Sequence, residues 1–128
     1  MIYLDSSVLL ASVFGEPRSP PADFWNQELT SSRLLVYEVW TRLHAYRLAT
    51  SHGDIARARL ERVNFVALGE GALARALEPF PVALRTLDAL HLSTMVFLGR
   101  HSQPIELASY DSRLVAASGA LGFPLAPL

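Results

Sequence analysis

The chain has 128 residues, a net charge of −1, 51% hydrophobic residues and a mean hydropathy of +0.25. These values exclude a disordered chain and a polycationic nucleic-acid binder, and they predict one folded domain over residues 1–128. The sequence has no cysteine, no lysine, no signal-peptide pattern and no long apolar run, which excludes disulfides and lysine-dependent chemistry and predicts a cytoplasmic protein with no membrane partner.

Strand-like and helix-like segments alternate along the chain. A short apolar strand over residues 2–4 is followed by Asp5 and by a helix over 8–14, with Ser6 or Ser7 as its N-cap. The next segments predict helices over 22–29 and 34–49, a turn at 51–53, a helix over 55–62 capped by Asp54, and a strand over 64–68. The last part of the chain predicts helices over 71–77 and 85–98, the second ended by Gly99. A strand over 105–109, a helix over 112–117 and a strand over 123–126 follow. The alternation predicts an α/β three-layer domain with a mainly parallel central sheet flanked by helices.

Two acids follow predicted strands directly. Asp5 ends the first strand, and Asp111 comes after the strand over residues 105–109. The carboxyl ends of parallel strands form the sheet edge at which ligands bind, so both carboxylates are candidate site residues. The alternative for each acid is a helix cap. Ser6 and Ser109 lie beside these acids and are candidate supporting residues that position a water or a metal, with a simple turn residue as the alternative.

Two further acids lie within predicted helices. Glu38 is a candidate site residue, and its alternative is an exposed ion pair with Arg42 at i+4. Asp88 shares the apolar stripe of its helix, where an unpaired carboxylate is costly to bury. The structural alternative for Asp88 is a pair with Arg85 or His91, three residues to either side.

If these four carboxylates converge, they repel one another. At a separation of about 5 Å and an effective dielectric constant near 20, each close pair costs roughly 3 kcal/mol. A divalent cation relieves such repulsion, and hard oxygen ligands favour Mg²⁺ or Mn²⁺. The histidines include no pair at metal-binding spacing, which disfavours zinc, and we assign them no catalytic role; they are His44, His52, His91 and His101.

With these residues in place, the chain resembles a PIN domain, and most closely a VapC-type toxin ribonuclease of a type II toxin–antitoxin system. The resemblance covers nearly the whole chain. Its motifs are Met-Ile-Tyr-Leu-Asp-Ser-Ser-Val at residues 1–8, Glu38, Arg-Thr-Leu-Asp-Ala-Leu-His-Leu at 85–92 and Ser-Tyr-Asp-Ser-Arg-Leu at 109–114, leading to Gly119 and Gly122. The order and spacing of the motifs, together with the Asp-Ala-Leu-His-Leu block, carry the resemblance.

The resemblance implies a sheet centred on the first strand and a metal-dependent endoribonuclease. Asp5, Glu38, Asp88 and Asp111 would be the catalytic residues, with Asp5, Asp88 and Asp111 as ligands of Mg²⁺ or Mn²⁺. It also implies an RNA substrate, a homodimer and a cognate antitoxin that blocks the site. A metal held by the carboxylates would polarise a phosphate oxygen and lower the pKa of the attacking water.

The sequence leaves two other functions as alternatives. A non-catalytic PIN-like module would bind RNA or a partner, but four intact acids argue against it. An aspartate-dependent phosphohydrolase of the haloacid-dehalogenase kind would need Asp-x-Asp after the first strand and a lysine, and the sequence has neither.

Two surface features bear on partners. Residues 33–62 hold six arginines against three acids, which indicates either RNA contact or else a solvated helix face or dimer surface. Trp25, Tyr37, Trp40 and Tyr46 on the early helices predict a symmetric homodimer, unless they pack against the sheet.

Overall fold

A parallel sheet organises the chain in the computed structural model, which describes residues 1–101 and 104–128. In chain order the elements are β1 Ile2–Leu4, α1 Ser6–Phe14, a 3₁₀ helix Ala22–Asn26, β2 Leu29–Ser32, α2 Leu34–Ala45, α3 Ala49–Leu60, β3 Val63–Val66, α4 Glu70–Ala76, α5 Thr86–His101, β4 Glu106–Ala108 and α6 Ser112–Ala120. The strand order is β3-β2-β1-β4, and every pair in it is parallel. The predicted α/β class is confirmed.

Strand β1 lies inside the sheet and presents side chains to both faces. Ile2 and Leu4 join the apolar core beneath α1, α2 and α3, whereas Tyr3 joins the core beneath α5 and α6. This alternation is the two-residue period of a strand, and burial on both faces explains why β1 is apolar throughout. The described part of the chain contains no helix with the length and apolarity needed to span a bilayer.

The predicted helix over 22–29 is wrong in its second half, because strand β2 begins at Leu29. The sequence pattern also predicts that Ser31 or Ser32 opens the next helix. Both are buried in β2, and the Ser32 hydroxyl accepts from the amide of Leu34, the first residue of α2, at 3.2 Å. The Ser31 hydroxyl donates to the Leu4 carbonyl at 2.8 Å, and the Ser32 amide donates to the Tyr3 hydroxyl at 3.1 Å. Polar residues tolerate this central position because hydrogen bonds satisfy them there.

The predicted turn at 51–53 and the Asp54 cap are also wrong. Helix α2 ends earlier than predicted, and α3 begins at Ala49 and continues through Gly53 and Asp54. Asp54 is exposed and pairs with Arg57 at 2.9 Å. A β-carbon at Gly53 would lie 3.2 Å from the Trp40 ring, so this glycine lets α2 and α3 approach closely and is not a turn residue.

Two predictions near the C-terminus need correction. Gly99 does not end α5, which continues beyond it, since an isolated glycine costs a helix only about 1 kcal/mol relative to alanine. The predicted strand over 123–126 is reduced to one parallel bridge between Leu125 and Leu107, with the Ala126 amide donating to the Leu107 carbonyl at 2.9 Å.

Candidate active site

The four predicted acids line one cleft of about 880 Å³ at the carboxyl edge of the sheet. Asp5 stands between β1 and α1, and Asp111 stands just before α6. Glu38 comes from α2 and Asp88 from the first turn of α5. The cleft is therefore built by segments that are distant in sequence. Asp5 and Asp111 are neighbours because β1 and β4 pair, and α2, which carries Glu38, follows β2 on the other side of β1.

Asp5 is buried, with 5% of its surface exposed, and it is itself the N-cap of α1, so the prediction of Ser6 or Ser7 as the cap is wrong. Its Oδ2 accepts hydrogen bonds from the Ser7 hydroxyl at 2.5 Å, the Ser109 hydroxyl at 2.8 Å and the Ser7 amide at 3.3 Å. Every buried polar side-chain atom of the described residues has a partner. Because Oδ1 accepts no hydrogen bond from these residues, it must reach the accessible surface of the cleft.

Asp111 repeats this arrangement at the start of α6. Its Oδ1 accepts from the Arg113 amide at 2.9 Å and the Leu114 amide at 3.4 Å, as an N-cap does. Its own amide donates to the Ser109 hydroxyl at 3.0 Å, so Ser109 connects the two acids. The two roles predicted for Asp111, helix cap and site residue, are compatible, because only Oδ1 caps the helix and the residue also lines the cleft.

Ser7 is a supporting residue that the sequence reasoning missed. Its hydroxyl makes the shortest bond to Asp5 and accepts from the Tyr110 amide at 2.9 Å. The sequence could have indicated this role of Ser7, because the residue two positions after an N-cap acid lies within hydrogen-bond reach of that acid. Ser6 also lines the cleft, but its hydroxyl donates to Oε2 of Glu38 at 3.4 Å and not to Asp5.

Glu38 is held by His91, a second residue that the sequence reasoning left without a role. His91 is fully buried, and its Nε2 bonds Oε1 of Glu38. The other ring nitrogen, Nδ1, lies 2.8 Å from the Tyr3 hydroxyl, which also accepts from the Ser32 amide at 3.1 Å. The alternative ion pair between Glu38 and Arg42 is not formed among the described residues.

The pKa values in this network follow from burial and charge. Burial by itself lowers the pKa of His91, but the hydrogen bond and negative charge of Glu38, with the charges of Asp5 and Asp88, outweigh burial and raise it overall. Burial raises the pKa of Tyr3, so its hydroxyl keeps its proton. Burial also raises the pKa of Asp5, although hydrogen bonds from Ser7 and Ser109 oppose that rise.

Asp88 differs from the other three acids because it forms no hydrogen bond or ion pair with any described residue. The alternative pairs with Arg85 and His91 are therefore not formed. Its pKa is raised, first by burial and then by the negative charges of Asp111, Asp5 and Glu38. That electrostatic effect requires the four carboxylates to lie near one another.

Comparisons with known proteins agree with this fold. The PIN domain family model matches residues 2–119. This chain belongs to the PIN domain family. It is 32% identical to Ribonuclease VapC46 of Mycobacterium tuberculosis, covering 94% of this chain and 92% of that protein, and 26% identical to Ribonuclease VapC47 of the same species, covering 96% and 93%. A chain of a toxin-antitoxin complex from Klebsiella pneumoniae has the same fold, with a TM-score of 0.60, 18% identity and 94% of both chains covered.

The donor set of this PIN domain suits a hard divalent cation, because the cleft gathers carboxylate oxygens that repel one another. Among the residues that the structure describes, however, no three histidine, aspartate or glutamate side chains stand close enough to bind one ion together. Oδ1 of Asp5 already reaches the surface of the cleft, and no hydrogen bond or ion pair from a described residue holds the Asp88 side chain. The chemistry of the site therefore fits a metal, while its side chains are not drawn together around one.

Proposed function

We propose that this PIN domain is a metal-dependent endoribonuclease that cleaves phosphodiester bonds in RNA, and that it is the toxin of a toxin–antitoxin pair. The observation that carries the proposal is the single cleft lined by Asp5, Glu38, Asp88 and Asp111. Relatives of the whole chain that are named ribonucleases support the reaction type.

Asp5, Asp88 and Asp111 would hold Mg²⁺ or Mn²⁺, which supplies charge stabilisation at the phosphate and a water of lowered pKa. Ser7 and Ser109 keep Asp5 in one orientation through its Oδ2. Glu38 is held on Oε1 by His91 and accepts a long hydrogen bond from the Ser6 hydroxyl on Oε2. The second lone pair of Oε2 would accept a proton from the attacking water.

Arginines of the cleft would bind the phosphates on either side of the scissile bond. Arg18, Arg42 and Arg85 line the cleft together with the acids. Guanidinium groups bind phosphate in a bidentate fashion. The chain therefore needs no net positive charge, because the cations are placed locally and the metal joins the acids to the substrate.

The proposed partners are an RNA substrate, a cognate antitoxin and a second copy of this chain, and RNA cleavage would take place in the cytoplasm. Two of the four aromatic side chains on the early helices are not available for a dimer surface, because Trp25 is buried inside the chain and Trp40 packs against its core. Tyr37 and Tyr46 remain exposed on α2 and at its end. Tyr46 lines the cleft and Tyr37 does not, so the proposed dimer surface depends on Tyr37.

The test is cleavage of a panel of mixed-sequence single-stranded RNAs by purified protein with Mn²⁺ or with EDTA. Asp5→Asn keeps the hydrogen-bond acceptor but removes the charge, and we expect it to abolish cleavage. Asp54→Asn is the matched control, since Asp54 is exposed on α3 and pairs only with Arg57 among the described residues.

Cleavage that resists EDTA, or that survives in Asp5→Asn, would contradict the proposed metal site. Binding of the RNAs without cleavage in the presence of Mn²⁺ would instead identify a non-catalytic PIN module.

A further inference from the structure

The cleft continues beyond the acids along α2. Glu38, Arg42 and Tyr46 recur at four-residue spacing, all line the cleft, and therefore share one face of the helix. At 1.5 Å per residue, Arg42 lies about 6 Å and Tyr46 about 12 Å from Glu38 along the helix axis. The α2 side of the cleft thus passes from an acid to a cation to an aromatic ring.

Helix α1 follows the same course on the other side. Its cleft-lining residues run from Ser6, beside Asp5, to Phe14 in the last turn. The Phe14 ring meets the Tyr46 ring edge to face, with centroids 5.8 Å apart, and lies 6.2 Å from the His52 ring. We call Phe14, Tyr46 and His52 the aromatic end of the cleft.

Tyr46 is not explained by packing of the core. Its side chain is 56% exposed, whereas Phe24 and Trp25 are buried. The Arg42 guanidinium lies 5.9 Å from the Tyr46 ring centroid, which places a cation between the acidic part of the cleft and the aromatic end. An exposed ring beside a cation, in a cleft shared with the acids, indicates a ligand that carries both negative charge and flat apolar groups.

Single-stranded RNA has this character, because charged phosphates alternate with bases that stack on aromatic side chains. We propose that the aromatic end is a nucleobase-binding subsite, in which Tyr46 stacks on a base of a nucleotide that flanks the scissile phosphate. Arg42 binds the intervening phosphate. This inference rests on the proposed ribonuclease function and adds to it the part of the chain that selects the substrate.

The test compares wild type, Tyr46→Ala, Tyr46→Phe and Tyr37→Ala by steady-state cleavage of a single-stranded RNA that the wild type cuts. Loss of one base stack lowers kcat/KM by about 5- to 150-fold, equivalent to 1–3 kcal/mol. We expect this loss to appear as a higher KM with little change in kcat. Tyr46→Phe keeps the ring and should retain near-normal values. Tyr37→Ala is the control for a loss caused by the dimer surface, because Tyr37 is 67% exposed on the same helix but does not line this cleft. The loss in Tyr46→Ala should exceed the loss in Tyr37→Ala.

A set of RNAs in which each nucleotide near the cut is made abasic in turn locates the base. At one position, base removal should lower kcat/KM for the wild type and have no further effect on Tyr46→Ala. An equal effect in both proteins, or an unchanged KM in Tyr46→Ala, would overturn the subsite. A loss of activity that accompanies dissociation of Tyr46→Ala to a monomer would also overturn it, since Tyr46 would then act at a subunit contact.

Binding measured by fluorescence anisotropy in the Asp5→Asn background separates the two proposals. If the wild type cleaves no RNA but the affinity of Asp5→Asn depends on Tyr46 and on the same base, the ribonuclease function fails and the subsite stands. If the wild type cleaves RNA and neither measurement depends on Tyr46, the subsite alone fails.

Discussion

The Tyr3 hydroxyl joins the sheet to the active-site network, and its removal gives a sharp prediction for stability. Tyr3→Phe deletes one oxygen that accepts from the buried Ser32 amide and bonds Nδ1 of the buried His91. A buried polar group left without a partner costs about 1–3 kcal/mol, so two such groups cost about 2–6 kcal/mol by simple addition. Small domains are stable by only about 5–15 kcal/mol.

Urea denaturation at 25 °C and thermal melts, each followed by circular dichroism, measure this loss. We expect the free energy of unfolding to fall by at least about 2 kcal/mol, which for a chain of this length lowers Tm by roughly 6 °C. Tyr37→Phe removes the same hydroxyl from an exposed tyrosine, and its effect should stay within about 0.5 kcal/mol. Because His91 also loses its second anchor, cleavage by Tyr3→Phe should slow even where the protein remains folded.

A loss in Tyr3→Phe no larger than that in Tyr37→Phe would refute this reasoning. It would mean that the buried Ser32 amide and His91 find other partners at no cost, and that the Tyr3 hydroxyl does not hold the network that positions Glu38.

Three further predictions concern the carboxylates and the assembly. Asp→Asn at position 5, 88 or 111 should abolish cleavage yet leave the metal-free protein at least as stable. Mn²⁺ should raise Tm far more in wild type than in the variants. An equal rise of Tm in all four proteins would contradict a shared metal site. In EDTA, the native state holds more protons than the unfolded state, because the native pKa values of Asp5, Asp88 and His91 are raised. The free energy of unfolding should therefore fall as pH rises above 3.8 for the carboxyls and above 6.5 for the imidazole. If urea titrations show that the free energy of unfolding of Asp88→Asn falls above pH 3.8 as steeply as that of the wild type, this prediction is wrong for Asp88. Finally, light scattering at micromolar concentration should give twice the 14.1 kDa chain mass; a monomer would remove the dimer.

The sequence by itself determined the fold class and identified the four acids that line the cleft. Both depend on short-range patterns, since an apolar strand, an acid at its end and a helical apolar stripe are each contained within about ten residues. Asp5 and Asp111 could be recognised because strand ends carry ligand sites in any α/β sheet, whichever strands happen to be neighbours.

Strand β2 and the start of α3 could not be predicted from such patterns. Ser31 and Ser32 have the composition of a turn, but they form a strand by pairing with β3. Leu4 and Tyr3 of β1 supply further hydrogen-bond partners for the Ser31 hydroxyl and the Ser32 amide. Gly53 likewise has the composition of a turn, yet it lies within α3 because the Trp40 ring packs against it. In both places, tertiary contacts outweigh local propensity.

The partners of the acids were decided only by the tertiary structure. His91 is 53 residues from Glu38 and 88 residues from Tyr3 in sequence, and Ser109 is 104 residues from Asp5. No local pattern encodes such pairs, because they form when α5 packs across β1 and when β4 pairs with it. The residue type determines which hydrogen bonds a side chain can make, but the packing of the helices on the sheet determines which partner it meets.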